Sequence, residues 1–321
     1  MGEGTAMKTN SKNCIIVMAA LLGGLLAGCQ AVESVGEIDP QENPDERIEN
    51  GERYTLTVEA VKPAGTKALA LDGSTLNAYW VQDEKVSVYV NGVYRGYLMV
   101  KVTGDKSTTA TLSGELTSSD PIEEGNTLML LYPERTDIQE GTKWDYTGQN
   151  GAAPNAEGTG DLSTKYDYAT ATLTVTGVNG NEVTTTRVAT FQNEQSIYRL
   201  DFKVNSSLKN VNWFSVSSNR NKLVTSRSYS DGWTSAYGVL SVSLASAASS
   251  PYLSLRNENT TEVDTYTFFV RDSNNDLFTG TKEIPAAKLG YGKFLAPSVD
   301  LSAYSVSTQA SGNIGNTQDI F

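Results

Sequence analysis

The chain has 321 residues, 37 acidic and 25 basic, giving a net charge of −12, with two cysteines and no histidine. Without histidine the commonest general base and metal ligand is missing. Both cysteines, Cys14 and Cys29, lie close to the N-terminus, so the rest of the chain has no disulfide, thiolate zinc site or cysteine nucleophile.

Lys8 and Lys12 precede an apolar run from Cys14 to Ala27, which closes on Leu26-Ala27-Gly28-Cys29. Basic, apolar and small-residue segments in that order form a secretory signal. The cysteine at its end makes it resemble a bacterial lipoprotein signal, spanning residues 1–28, with Cys29 the acylated residue. A cleaved signal without lipid and a short N-terminal anchor helix are the alternatives. The run is shorter than the roughly 20 apolar residues of a spanning helix, so anchoring through lipid is the expectation. Residues 29–52 are rich in Glu, Asp, Asn and Pro without periodicity and read as an acidic tether.

Beyond the tether, apolar positions recur with period two: Tyr54, Leu56, Val58 and Ala60; Val86, Val88 and Val90; Leu128, Leu130 and Tyr132; Leu173 and Val175; Leu200, Phe202 and Val204; Leu240, Val242 and Leu244; Tyr266, Phe268 and Val270. Such alternation predicts half-buried strands. Asn91-Gly92 predicts a type I′ turn joining Lys85–Val90 to Val93–Val102, and Gly177-Val178-Asn179-Gly180-Asn181 predicts a second hairpin. No window carries a sustained apolar stripe of helical period. The fold expected is all-β, as two tandem sandwiches over residues 53–191 and 192–302, followed by a tail over 303–321.

Residues 139–164 are polar and glycine-rich and read as a long surface loop. Trp144 and Tyr146 within it, and Trp233 further on, are candidate sugar-stacking platforms, with burial in a core as the commoner outcome for sandwich tryptophans. Trp80, just ahead of a strand, is expected in the core. Asp272-Ser273-Asn274-Asn275-Asp276, with Glu283, superficially matches a calcium loop. Leu277 stands where that loop needs glycine, so a hairpin turn is the simpler reading and no metal or cofactor is expected. Carboxylates such as Glu123, Glu124, Asp161 and Asp167 are available for glycosidase chemistry, but nothing around them marks a site, and the chain is not read as an enzyme. No basic patch interleaves with aromatics, so nucleic acid is not an expected partner.

Several local patterns, in order, resemble the fimbrillin family, the type V pilins of Bacteroidales. They are Thr66-Lys67-Ala68-Leu69; Trp80 followed by Asp83 and Val86-Ser87-Val88-Tyr89; Leu130-Leu131-Tyr132-Pro133; Gly160-Asp161-Leu162 ahead of Tyr166-Asp167; Phe268-Phe269-Val270 with Phe278-Thr279-Gly280; and Leu289-Gly290-Tyr291. The resemblance implies two sandwiches of transthyretin-like or Greek-key type, exported as a lipoprotein to the outer membrane and assembled into a surface fimbrium that supports adhesion. It also implies that a trypsin-like protease cuts at Lys67-Ala68, removing the leading strand, and that a strand from another subunit fills the groove. Tyr54, Leu56, Val58 and Ala60 would fill that groove before the cut, and the polar 303–321 segment reads as a disordered tail or as a candidate donor. Read alone, Lys67 is equally a polar loop residue. The implied partners are other fimbrial subunits, the membrane before processing, and a host or bacterial surface ligand. The alternative is an anchored glycan-binding lipoprotein using Trp144, Tyr146 and Trp233.

Overall fold

The computed structural model describes residues 51–62, 70–72, 75–77, 79–134, 142–155, 160–186, 188–229, 232–258 and 261–304. Cys29, Lys67, Ala68 and the 305–321 part of the tail lie outside the described residues. The protein is nearly all β. Its one described α-helix, Asp161–Lys165, is a single short turn.

A nine-stranded sheet dominates the first half. Its path runs Glu182–Thr185, Glu52–Val61, Thr109–Ser118, Val93–Lys101, Lys85–Val90, Thr127–Tyr132, Ala169–Asn179 and Gln192–Asn193, with Ala189–Thr190 also paired to Glu52–Val61. Strand Glu182–Thr185 pairs with both Glu52–Val61 and Ala169–Asn179, so the hydrogen bonding closes on itself around the core. Local chemistry sets the corners. Asn91 and Gly92 take φ of 48° and 86°, the left-handed values of a type I′ turn, and bring Val90 opposite Val93. Inward alternation then buries Leu56, Val58, Trp80, Val86, Val88, Leu112, Leu128, Leu130 and Phe191 in one cluster. Trp80 meets Tyr132 and Phe191 edge-on at 5.4 and 5.1 Å, an arrangement that adds to simple area burial.

A second core forms under the five-stranded sheet Leu240–Ala248, Val211–Ser218, Asp264–Asp272, Leu277–Ile284, Ser302–Ala303. Phe202, Phe214, Val216, Val242, Tyr266, Phe268, Val270 and Val299 are buried in it. Tyr89, Leu131, Trp144, Tyr146 and Tyr168, from earlier in the chain, are also part of this cluster. The expected long loop over 139–164 is therefore corrected within its described residues. Thr142–Asp145 is a strand, antiparallel to Val224–Tyr229 with Trp144 opposite Arg227, and Asp161–Lys165 is helical.

Candidate functional site

The leading strand Glu52–Val61 alternates strictly: Glu52, Arg53, Thr55, Thr57 and Glu59 are exposed, while Tyr54, Leu56, Val58 and Ala60 are buried. On one side it is antiparallel to Thr109–Ser118 over an unbroken register from Glu52↔Ser118 to Val61↔Thr109. On the other it is parallel to two short strands, with Thr55↔Glu182, Leu56↔Val183, Ala60↔Ala189 and Val61↔Thr190. Further backbone bonds bracket it: Thr55 N–H donates to the Asn181 carbonyl at 2.7 Å, and Phe191 N–H to the Val61 carbonyl at 3.1 Å. At its start the Tyr54 hydroxyl donates to Glu52 at 2.5 Å and accepts from the Ile122 N–H at 3.2 Å. The bond to Glu52, with burial, raises the Tyr54 pKa.

Gly114, opposite Leu56, lets the neighbouring strand come close, since a Cβ there would collide with the Tyr97 carbonyl. The strand is thus an interior element paired along both edges. Tyr54, Leu56 and Val58, at roughly 2 kcal/mol of burial each, amount to about 6 kcal/mol, comparable to the stability of a whole domain.

The alternation continues one step beyond the strand, to a residue that sequence reasoning missed. Lys62 has its side chain fully buried, and its Nζ donates to the Tyr79 carbonyl at 3.0 Å. That ammonium lies 3.7 Å from the Trp80 ring centroid and 4.1 Å from that of Tyr132, the geometry of a cation–π box. A Glu84 oxygen is 3.6 Å away. Glu84 is itself held, accepting from the Tyr132 hydroxyl at 2.5 Å and the Val81 N–H at 3.0 Å. Burial pushes the Lys62 ammonium below its ordinary pKa, while Glu84 and the buried Asp167 pull it back up. Burial and the same two carboxylates push the Tyr132 phenol well above its own. The signal was present in the sequence, since Lys62 falls on the inward phase of Tyr54, Leu56, Val58 and Ala60.

The candidate sugar platforms prove to be interior. Trp144 is 0% exposed and Tyr146 1%. Trp144 stacks on Tyr168 at 4.9 Å and meets Trp233 at 4.6 Å, and the Tyr146 hydroxyl donates to the Glu194 carbonyl at 3.4 Å. Trp233 is half-buried with the Arg227 guanidinium 3.9 Å from its ring centroid. Arg227 and Arg256 both donate to one Glu194 oxygen at 2.5 Å, which places this aromatic group inside an ion network. The exposure expected of Trp144 and Tyr146 is therefore corrected: a strand and its stacking partners enclose them.

The Asp272–Asp276 segment is the turn between Asp264–Asp272 and Leu277–Ile284. Asp272 is buried, accepts from the Asn274 and Asp276 N–H groups at 2.8 and 2.9 Å, and pairs with Lys209 at 2.8 Å. Burial works against its charge, but Lys209 and these backbone donors together hold the carboxyl below its ordinary range. Its hydrogen-bonding capacity goes to the turn. Asp161 bonds Asn150 at 2.8 Å and Asp167 accepts from Gln195 at 2.9 Å.

No protein-family model matches the chain, and no curated protein does. Solved structures give similarities. One is a protein assigned to cell adhesion from Bacteroides uniformis, 13% identical, covering 77% of this chain and 96% of that one, with a TM-score of 0.42. Another, also assigned to cell adhesion, is from Bacteroides ovatus, at 14% identity, 79% and 97% coverage and a TM-score of 0.40. The tip fimbrial protein Mfa3 from Porphyromonas gingivalis, with a C-terminal truncation, is 11% identical, with 73% and 81% coverage and a TM-score of 0.34.

Proposed function

We propose that this chain is a structural or tip subunit of a cell-surface fimbrium that supports adhesion. It is exported as a lipoprotein acylated at Cys29, held at the outer membrane, cut at Lys67-Ala68, and joined to other subunits by strand exchange. In this reading residues 53–191 and 192–302 act as its two domains. The observation that carries the reading is the leading strand: its four inward side chains belong to the core of the sheet, its two edges are both paired, and it lies directly upstream of Lys67. A sheet that loses such a strand exposes two rows of unpaired backbone groups and an apolar trough, which an extended segment of period-two side chains can satisfy. The cut turns a permanent intramolecular strand into one that another strand can displace. An anchored glycan binder is not carried further, because Trp144 and Tyr146 are enclosed.

Sequencing the N-terminus of this subunit in purified surface fibres tests the proposal. Ala68 as the first residue is the expected result, and fibres built from chains that still begin at acylated Cys29 would refute the maturation step.

A further inference from the structure

We infer that the box around Lys62 is a charge-reading subsite of the groove, so that a strand replacing Glu52–Val61 must bring a lysine or arginine to it. This inference rests on the strand-exchange reading and adds to it the chemistry of the partner. Lys62 follows Val61 directly and precedes Lys67, so a cut at Lys67-Ala68 removes the cation together with the strand. What stays behind is the lining: Trp80, Tyr132, the Tyr79 carbonyl and Glu84, with Asp167 close enough to act on the same charge.

That lining is built for a cation in every component. Two aromatic faces and a carbonyl oxygen attract positive charge, and Glu84 is fixed in place by Tyr132 and Val81. An apolar side chain entering here would leave Glu84, whose side chain is 21% exposed, without its cation and the two ring faces without theirs, which disfavours it. Of the other inward positions, Leu56, Val58 and Ala60 ask only for apolar side chains of suitable size, and Tyr54 adds an uncharged hydroxyl that accepts from the Ile122 N–H. The box is therefore where one donor strand is told from another, by a charge that a wrong partner lacks.

The required donor is an extended segment with alternate apolar side chains and a basic residue in the same phase at the end that lies beside Trp80. This chain's own 303–321 segment does not meet the requirement. It contains no lysine or arginine, and Asp319 is its one charged residue. We therefore commit to a partner subunit whose donor strand carries that basic residue; a second copy of this chain offering residues 303–321 does not fit.

The test uses the full chain after treatment with a lysine-specific protease, mass spectrometry having confirmed the cut at Lys67, and fluorescent peptides read by anisotropy. The peptides are residues 52–62, the same peptide with Lys62→Arg, Lys62→Met or Lys62→Glu, and residues 303–321. The native and Lys62→Arg peptides are expected to bind about tenfold or more tightly than the Lys62→Met peptide, with Lys62→Glu and 303–321 weaker still. In a Glu84→Gln chain the lysine-over-methionine preference should shrink to about threefold or less. Equal binding of the lysine and methionine peptides, tight binding of 303–321, or an unchanged preference in Glu84→Gln would overturn the charge requirement and leave strand exchange standing. Failure of every peptide to bind cut chain from which the 1–67 fragment has been removed would take away strand exchange and this inference together.

Discussion

The leading strand Glu52–Val61 and the late strand Ser302–Ala303 each belong to a larger sheet, the first inside its order and the second at its end, and they are held in opposite ways. The first pairs along its whole length with Thr109–Ser118, is flanked by two further strands and buries every second side chain. The second pairs at Phe278↔Ala303 and Thr279↔Ser302, on one side, with both of its residues exposed. After it, the Tyr304 N–H reaches the Leu277 carbonyl at 2.9 Å and the Tyr304 ring meets Phe269 at 5.6 Å on an exposed surface. One strand is a plug integral to a core, and the other is an attachment that the core does not need. Sheet membership therefore says little about cohesion; the number of paired edges and the phase of the side chains decide it.

The contrast is broken most directly by matched substitutions. Leu56→Ala should cost about 3 kcal/mol, read as a lowered urea midpoint of the uncut chain, whereas the exposed Ala303→Ser should stay within about 0.5 kcal/mol. Comparable losses at both positions would remove the distinction. A smaller effect is expected at the turn that starts the late strand's neighbour. Asp272→Asn should cost about 2 kcal/mol at neutral pH, because it weakens the pairing with Lys209 at a site that is 1% exposed.

That loss has a pH signature. Asp272 is held below its ordinary pKa of 3.8, so the unfolded chain takes up its proton before the folded chain does as the pH falls. The stabilisation is fully present above 3.8 and disappears as the pH drops through the lower folded value. Wild type and Asp272→Asn should therefore draw together as the pH falls below 3.8, and a gap in their midpoints that does not narrow in acid would contradict the assignment. The smallest effect belongs to Tyr304→Ala, at about 0.5 kcal/mol or less, since its ring packs on an exposed neighbour. A loss of about 2 kcal/mol would mean the late strand is as integral as the first.

Much of this was legible in the chain itself. The alternation Tyr54-Leu56-Val58-Ala60 marked the plug because one face of a strand is buried and the other is not. Asn91-Gly92 marked its turn because both residues tolerate positive φ. The strand at Thr142–Asp145 was not legible. Its neighbours are polar and glycine-rich, it shows no repeated alternation, and what makes it a strand is pairing with Val224–Tyr229, far along the chain. The same long-range pairing hides Trp144, whose burial depends on Tyr168 and Trp233. Lys62 was half legible: its phase could be counted from Tyr54, but only the fold brings Glu84, Trp80 and Tyr132 around it, overriding the expectation that lysine faces solvent.

The central claim is that Glu52–Val61 leaves the sheet when subunits join, and a reversible lock addresses it directly. Thr57 and Ser113 are register partners, and residues 30–321 contain no cysteine, so a Thr57→Cys, Ser113→Cys pair gives the folded region a single cross-strand disulfide. With the disulfide formed, surface fibres should be absent, and they should return on reduction. Fibres at the wild-type level from subunits whose disulfide is demonstrably intact would contradict the claim.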